Sequence, residues 1–246
     1  MDEIERIRLA YEKRDADLAY RARYTYTNPL NLFSIQQHER ALLLALAELG
    51  ITELRDQRVL DVGCGTGAGL RNFLRYGARP ENLTGVDLMP HRIEQARRDL
   101  PTEVQLIAQD AQSLPLRDQS CDVVCQFVVF SSILDSDIRR RVAAEMLRCL
   151  KPTGTIVWWD MLPIPSPIRA YHRIIARLRS VRRITRHPDL LWRKLRNRGQ
   201  RSLVTAVAKK PDLMALHAIS IAEVEELFPD CVYQHHSMLP WLGLTE

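Results

Sequence analysis

The sequence predicts an α/β protein built on a doubly wound, mostly parallel sheet, and three observations predict it. Short apolar runs recur between segments of helical period, from Val59 to Trp159. The first of these runs enters a glycine-rich turn, Gly63-Cys64-Gly65-Thr66-Gly67, that opens a helix. Helical segments stand between successive runs at a spacing that implies right-handed crossovers and a parallel sheet covered on both faces.

The elements follow in order. Tyr20 to Asn31, with its tyrosines, arginines and the Asn28-Pro29 turn signal, reads as an arm between two helices. Ile35 to Leu49 places Leu42, Leu43, Leu46 and Leu49 at helical spacing, and Gly50 stands where a C-terminal cap belongs. Val59 to Val62 is a short buried strand, Ala68 to Tyr76 a helix closed by Gly77, and Leu83 to Val86 a second strand. Pro90 fits a first helical turn in a helix that runs to about Leu100. Val104 to Ala108 is the third strand, and Cys121 to Val129 is an uninterrupted apolar run suited to the middle of a sheet. A helix from Asp137 to Leu150, a turn over Lys151-Pro152-Thr153-Gly154 and a strand from Thr155 to Trp159 complete the alternation. After Met161 the rhythm breaks at Pro163, Pro165 and Pro167. It resumes with a capping box, Ser220 with Glu223, for a helix ending near Phe228, and a last strand over Val232 to Met238. The expected organisation is a helical arm over 1–50, a core over 51–162, a basic helical insertion after the fifth strand over 163–215, and a return to the sheet over 216–246.

Composition narrows the function. Charged residues make up 26% and apolar ones 46%, as in an ordinary globular protein. Met1 to Tyr20 lacks the apolar stretch of a signal peptide, and no run approaches the roughly 20 apolar residues of a spanning helix, so a cytoplasmic protein is expected, peripheral to a membrane at most. The five cysteines lack C-x-x-C pairing, so no metal site is expected. The net charge of +5 is concentrated: between Ile168 and Arg201 stand twelve Arg or Lys and one acid, Asp189. Three readings stay open for this stretch. It can be a basic helix on an anionic membrane surface, a clamp for an anionic acceptor, or a solvated lid or homo-oligomer contact. Contact with nucleic acid ranks last, because no binding module accompanies the charge.

The chemistry is concentrated at Val59-Leu60-Asp61-Val62-Gly63-Cys64-Gly65-Thr66-Gly67. Glycines belong there because a ligand must approach the backbone and the chain must turn with positive φ. Gly63-x-Gly65-x-x-Ala68 also satisfies a dinucleotide fingerprint, with Asp87 at the right distance for ribose hydroxyls, so a nicotinamide-dependent oxidoreductase stays open as a rival. Asp61 weighs against it: a carboxylate there can meet an ammonium group, whereas a pyrophosphate would repel it.

From Arg58 to Trp159 these motifs resemble class I S-adenosylmethionine-dependent methyltransferases in content and order. The resemblance implies a Rossmann-like core with S-adenosylmethionine as cofactor. Asp61, Gly63, Cys64, Gly65 and Gly67 would hold its methionyl part, Asp87 with Leu88 the ribose, and Asp110 with Ala111 the adenine. Gln126 and Phe127 would end the fourth strand beneath it, and Tyr24 would close over it from the arm. Leu150-Lys151-Pro152-Thr153-Gly154 resembles the family's L-K-P-G-G turn with Thr153 in place of a glycine. Phe130-Ser131-Ser132, Trp158-Trp159-Asp160, Asn28-Pro29 with Gln36, and Leu227-Phe228-Pro229 look like methyltransferases of bacterial polysaccharide and secondary biosynthesis, although here the basic insertion is longer and the closing strand is cut short. The expected acceptor is a small molecule, a glycan or a lipid-linked sugar. Asp160, on the rim where open α/β sheets bind substrate, is the candidate general base. His38, His91, His172, His235 and His236 carry no constellation that marks a catalytic role. A non-catalytic S-adenosylmethionine-binding subunit is the second rival.

Overall fold

The structure, a computed structural model, describes residues 1–161, 220–229 and 231. Five parallel strands form one sheet in the order β3-β2-β1-β4-β5, with β1 Val59–Val62, β2 Leu83–Asp87, β3 Gln105–Ala108, β4 Cys121–Phe127 and β5 Leu150–Trp159. The strand order reverses between β1 and β4, which makes the crevice at their carboxyl ends the place where such sheets take a ligand.

Both faces are covered, as the unbroken burial of Val59, Leu60, Asp61 and Val62 requires. On one face α3 (Pro29–Glu48), α4 (Ala68–Arg75) and α5 (Pro90–Asp99) bring Leu42, Leu46, Leu70, Phe73 and Ile93 against Val59, Val123 and Cys125. On the other, α1 (Glu3–Ala16), α6 (Ser136–Cys149) and Phe228, just past α7 (Ile221–Leu227), pack Ile7, Ile138, Val142 and Met146 on Leu60, Val62 and Val124. Val123 and Val124 face opposite layers, the alternation that a pleated strand imposes.

Three boundaries differ by two residues or more from those read in the sequence, each for a local reason. Helix α3 starts at Pro29, not Ile35, because Asn28 is its cap: its Oδ1 accepts from Leu30 N at 3.1 Å, and Pro29 takes the first helical position. Strand β4 ends at Phe127, not Val129, because Val128 turns to φ 63°. Strand β5 starts at Leu150, so Lys151-Pro152-Thr153-Gly154 is an irregular stretch inside a strand and not a turn before one. Leu150 pairs with Cys121 and Thr155 with Val123, so the extra residues face Asp122. Lys151 Nζ donates to Asp122 Oδ1 at 2.7 Å, and a Cβ at Gly154 would stand 2.9 Å from the Asp122 carbonyl oxygen.

The arm contains α2 (Leu18–Arg23), capped by Asp17, and α1 is bound to the core at both ends. Near its start Glu3 accepts from Leu134 N, and Arg6 donates to the Ser132 carbonyl at 2.6 Å. Near its end Asp15 pairs with Arg92 and His91. The basic insertion, the strand over Val232 to Met238, and His172, His235 and His236 lie outside the described residues. Among the described residues no helix is long and apolar enough to cross a membrane.

Candidate functional site

The glycine turn follows from the strand before it. Gly63 and Cys64 both donate to the Val86 carbonyl, at 2.7 and 3.0 Å, which anchors the turn to β2. Beyond that point Gly63, Gly65 and Gly67 adopt φ of 72°, 55° and 79°, a region that L side chains resist. Gly67 caps α4 in this conformation, and its missing Cβ leaves room for Leu100. Val129 crosses Gly63 so closely that a Cβ there would collide with its methyl groups.

Asp61 is 1% exposed, and its Oδ1 has no hydrogen-bond partner. Burial, reinforced by the negative charge of Asp87, pushes its pKa up to about 8, so the isolated protein holds this carboxyl largely protonated at neutral pH. Gly69, in the first turn of α4, makes the space: its Cβ would stand 2.6 Å from Asp61 Oδ2 and 3.0 Å from the Phe127 ring. A buried acceptor with nothing to accept is costly unless a ligand completes it.

Asp87 is buried at the end of β2, where Oδ2 accepts from Gly65 N at 2.8 Å and Oδ1 from Met89 N at 2.9 Å. It therefore locks the glycine turn to the start of α5. Each oxygen retains a lone pair for hydroxyl donors. The half-buried Leu88 follows it. Asp110, past β3, accepts from Gln112 N at 2.9 Å and from the Gln112 side-chain amide at 2.7 Å, with the half-buried Ala111 next to it. Burial and the two acids hold the Cys64 thiol far above its ordinary pKa, so it is a neutral, unreactive side chain.

At the end of β4, Gln126 is fully buried and joins two strands: its amide nitrogen reaches the Trp159 carbonyl at 3.3 Å and its Oε1 accepts from Val129 N at 2.9 Å. Phe127 lies on the opposite face, with the His38 ring 5.0 Å away and Trp159 beyond it, 4.5 Å from His38. Asp160 accepts from Ser131 N at 3.2 Å and from Met161 N at 2.8 Å, and burial raises its pKa against the lowering effect of Ser131 and the loop amides.

The structure thus brings Asp61, the three glycines, Cys64, Asp87, Gln126 and Phe127 to one rim, with Leu88, Asp110, Ala111 and Asp160 at its two ends. Tyr24 is different. It caps α2, is exposed, and its ring lies 4.6 Å from Tyr20 rather than against the glycine turn. The aromatic residue that does lie over the turn's neighbour is Tyr11, held between Arg14 at 3.9 Å and Arg92 at 4.5 Å, with its hydroxyl 2.8 Å from Ser132 Oγ. Arg92 Nη1 comes within 4.0 Å of where a Gly65 Cβ would be. Neither residue has a motif to mark it: Tyr11 continues the apolar face of Ile4 and Ile7 on α1, and Arg92 is one arginine among several on α5.

Val128 is the strained point of this rim, a β-branched residue at φ 63° whose N–H donates to the Trp159 carbonyl at 2.7 Å. Val128→Gly removes that strain and is expected to raise stability by about 1 kcal/mol. Urea unfolding measures this, and a fall in the midpoint at unchanged slope would mean that the side chain's packing outweighs its backbone cost.

Residues 60–158 match the model of a methyltransferase domain family, described as "Methyltransferase domain". Phthiotriol/phenolphthiotriol dimycocerosates methyltransferase 1 of Mycobacterium ulcerans is 34% identical over 113 residues, which are 45% of this chain and 40% of that protein. Fatty-acid O-methyltransferase of Mycolicibacterium smegmatis is 30% identical over 138 residues, 56% of this chain and 46% of the relative. The chain spans less than half the length of these two relatives. The YcgJ protein of Bacillus subtilis superposes with a TM-score of 0.50 at 20% identity, covering 78% of this chain and 67% of that one, a likeness of fold.

Proposed function

We propose that this chain, whose residues 60–158 form a class I S-adenosylmethionine-dependent methyltransferase domain, transfers a methyl group to an oxygen of a small-molecule, glycan or lipid-linked acceptor. The single observation that carries the reading is the buried, unpartnered Oδ1 of Asp61 beneath a turn of three positive-φ glycines. That combination fits the ammonium end of a methionyl group, whose positive charge draws the carboxyl into its ionised form.

Asp61 accepts from the ammonium, and the backbone of Gly63, Cys64, Gly65 and Gly67 leaves room for the methionyl chain. Asp87 offers its free lone pairs to the ribose hydroxyls, with Leu88 alongside. Asp110 turns part of its hydrogen bonding from Gln112 to the adenine amino group, and Ala111 follows it with backbone contact. Gln126 fixes the ends of β4 and β5 relative to each other, so that Phe127 and Asp160 keep their places.

The bound cofactor supplies an activated methyl on a sulfonium. The protein's share is alignment, exclusion of water and removal of one proton. Asp160 would take the proton of an acceptor hydroxyl as that oxygen gains the methyl and the sulfur leaves with the bonding pair. Relatives named for dimycocerosates and fatty acids support an acceptor with an apolar body. The excess charge over 168–201 is suited to the anionic part of such an acceptor or to the membrane that carries it.

The test has two parts. Calorimetry on the whole chain is expected to show binding of S-adenosylmethionine and its demethylated product, and none of NADH. Radiolabelled methyl transfer into lipid and polar extracts then separates an enzyme from a binding subunit: saturable binding without transfer to any extract would overturn the catalytic part of the proposal.

A further inference from the structure

The corner between α2 and α3 exposes apolar side chains that the fold does not use. Leu18 is 75% exposed, Tyr26 70% and Phe33 49%, with Leu30 one turn before Phe33 on the same side of α3. The corner is not loose. Asp17 caps α2 through Ala19 N and Tyr20 N, Asn28 Nδ2 donates to the Arg23 carbonyl at 2.9 Å, and Asn31 Nδ2 donates to the carbonyls of Tyr24 and Thr25. Five side-chain bonds at such a bend hold the apolar groups outward in one geometry.

Its charge is one-sided as well. From Leu18 to His38 there is no Asp or Glu, and the only full cations are Arg21 and Arg23. Other described helices mix signs closely, as in Glu3, Glu5 and Arg6 on α1 or Asp135, Asp137 and Arg140 at α6. Solvent-exposed helices gain little from such a pattern, whereas an anionic bilayer rewards each part of it. Leucine and phenylalanine enter the acyl boundary, tyrosine sits at headgroup depth, and arginine meets phosphate.

We propose that this corner docks the protein on an anionic lipid surface, with Tyr26, Leu30 and Phe33 inserted at the headgroup boundary and Arg21 and Arg23 on lipid phosphates. The corner belongs to the arm and is distant in sequence from the basic segment over 168–201. A rigid apolar corner also explains why α2 and α3 spend three asparagine and aspartate caps on a bend that buries nothing.

The experiment uses the whole chain in cosedimentation with vesicles, either zwitterionic phosphatidylcholine alone or with about one third phosphatidylglycerol. Binding is expected on the anionic vesicles and is expected to weaken as salt rises. Y26S/F33S is expected to lose at least about tenfold in partition constant, from the apolar area withdrawn, and R21Q/R23Q about tenfold or more. Thermal unfolding and cofactor calorimetry check that the variants keep the fold and the S-adenosylmethionine site, so a failure here leaves the methyl-transfer reading standing. As a positive mark of depth, Y26W is expected to be quenched by brominated acyl chains.

Unchanged vesicle binding in both double variants would overturn the proposal and assign any lipid contact to another surface. So would sedimentation equilibrium showing that wild type dimerises, that Y26S/F33S is monomeric, and that neither binds vesicles, because the occupant would then be a second copy of this chain.

Discussion

Asp61→Asn is expected to weaken S-adenosylmethionine binding by about 100-fold while leaving the fold intact or firmer. The substitution keeps the size of a carboxyl that burial already holds protonated, so the isolated protein gives up little. What it removes is the charge that an ammonium partner would draw out, an interaction in the range of about 1.5–3 kcal/mol. The same physics fixes a proton count. Because the free carboxyl has its pKa near 8 and an ammonium beside it lowers that value, binding below pH 8 must release a proton. Calorimetry in two buffers of different ionisation heat should therefore show close to one proton released around pH 7 in the wild type and none in Asp61→Asn. The stability linkage has the opposite sign in the free protein. A raised pKa gives stability that is complete below the ordinary carboxylate range and is lost as pH rises through about 8. The free wild type should thus lose stability progressively between about pH 4 and pH 8, Asp61→Asn should not, and saturating cofactor should abolish the difference. A binding isotherm with no buffer dependence in the wild type would remove the ammonium from this place and with it the central step of the functional reading.

What the sequence disclosed of this site, and what it kept hidden, divides along one physical line. Strand ends and the glycine turn are local: the apolar run Val59 to Val62 with Asp61 inside it, and the positive φ that Gly63, Gly65 and Gly67 permit, are properties of a few neighbouring residues. Periodicity and residue type report such things directly. The alternation of strands with helices reported the doubly wound sheet for the same reason. Where the outcome depended on a partner far along the chain, local pattern misled. Lys151-Pro152-Thr153-Gly154 has the composition of a turn, but Lys151 is held by Asp122 on the adjacent strand, and the segment becomes part of β5. Asn28-Pro29 reads as a turn, but the cap to Leu30 makes it a helix start. Tyr11 and Arg92 are the clearest case. Seen along α1 and α5 they are ordinary amphipathic positions, and only the docking of α1 across the rim, through Glu3, Arg6 and Asp15, stacks them beside the glycine turn. Tyr24, chosen for lying in the arm, is turned toward Tyr20 because Asn28 and Asn31 fold the corner the other way.

Asp160→Asn is expected to lower kcat by about 100-fold or more with cofactor affinity unchanged. Burial raises the proton affinity of this carboxyl, and a base of raised pKa is a better acceptor for an alcohol's proton than an ordinary surface acid. Its two oxygens already accept from Ser131 N and Met161 N, so it is held in one orientation at the end of β5 before any acceptor arrives. That same geometry supports a purely structural rival, in which Asp160 only ties the loop after β4 to the end of the sheet. The two roles separate in their pH dependence. A base works as the carboxylate, so wild-type kcat should fall as pH drops through the raised pKa, and this acid limb should vanish in Asp160→Asn because an amide does not titrate. A tie acts through the loop, so its loss should lower the unfolding midpoint and disturb acceptor KM while the acid limb persists. The asparagine turns its NH2 toward one of two neighbours that both donate, and Asp160→Ser, small enough to avoid that repulsion, tells a misplaced loop from a missing base. If both variants turn over within about threefold of wild type, the proton leaves by another route and Asp160 is only the knot that holds Ser131 to the sheet.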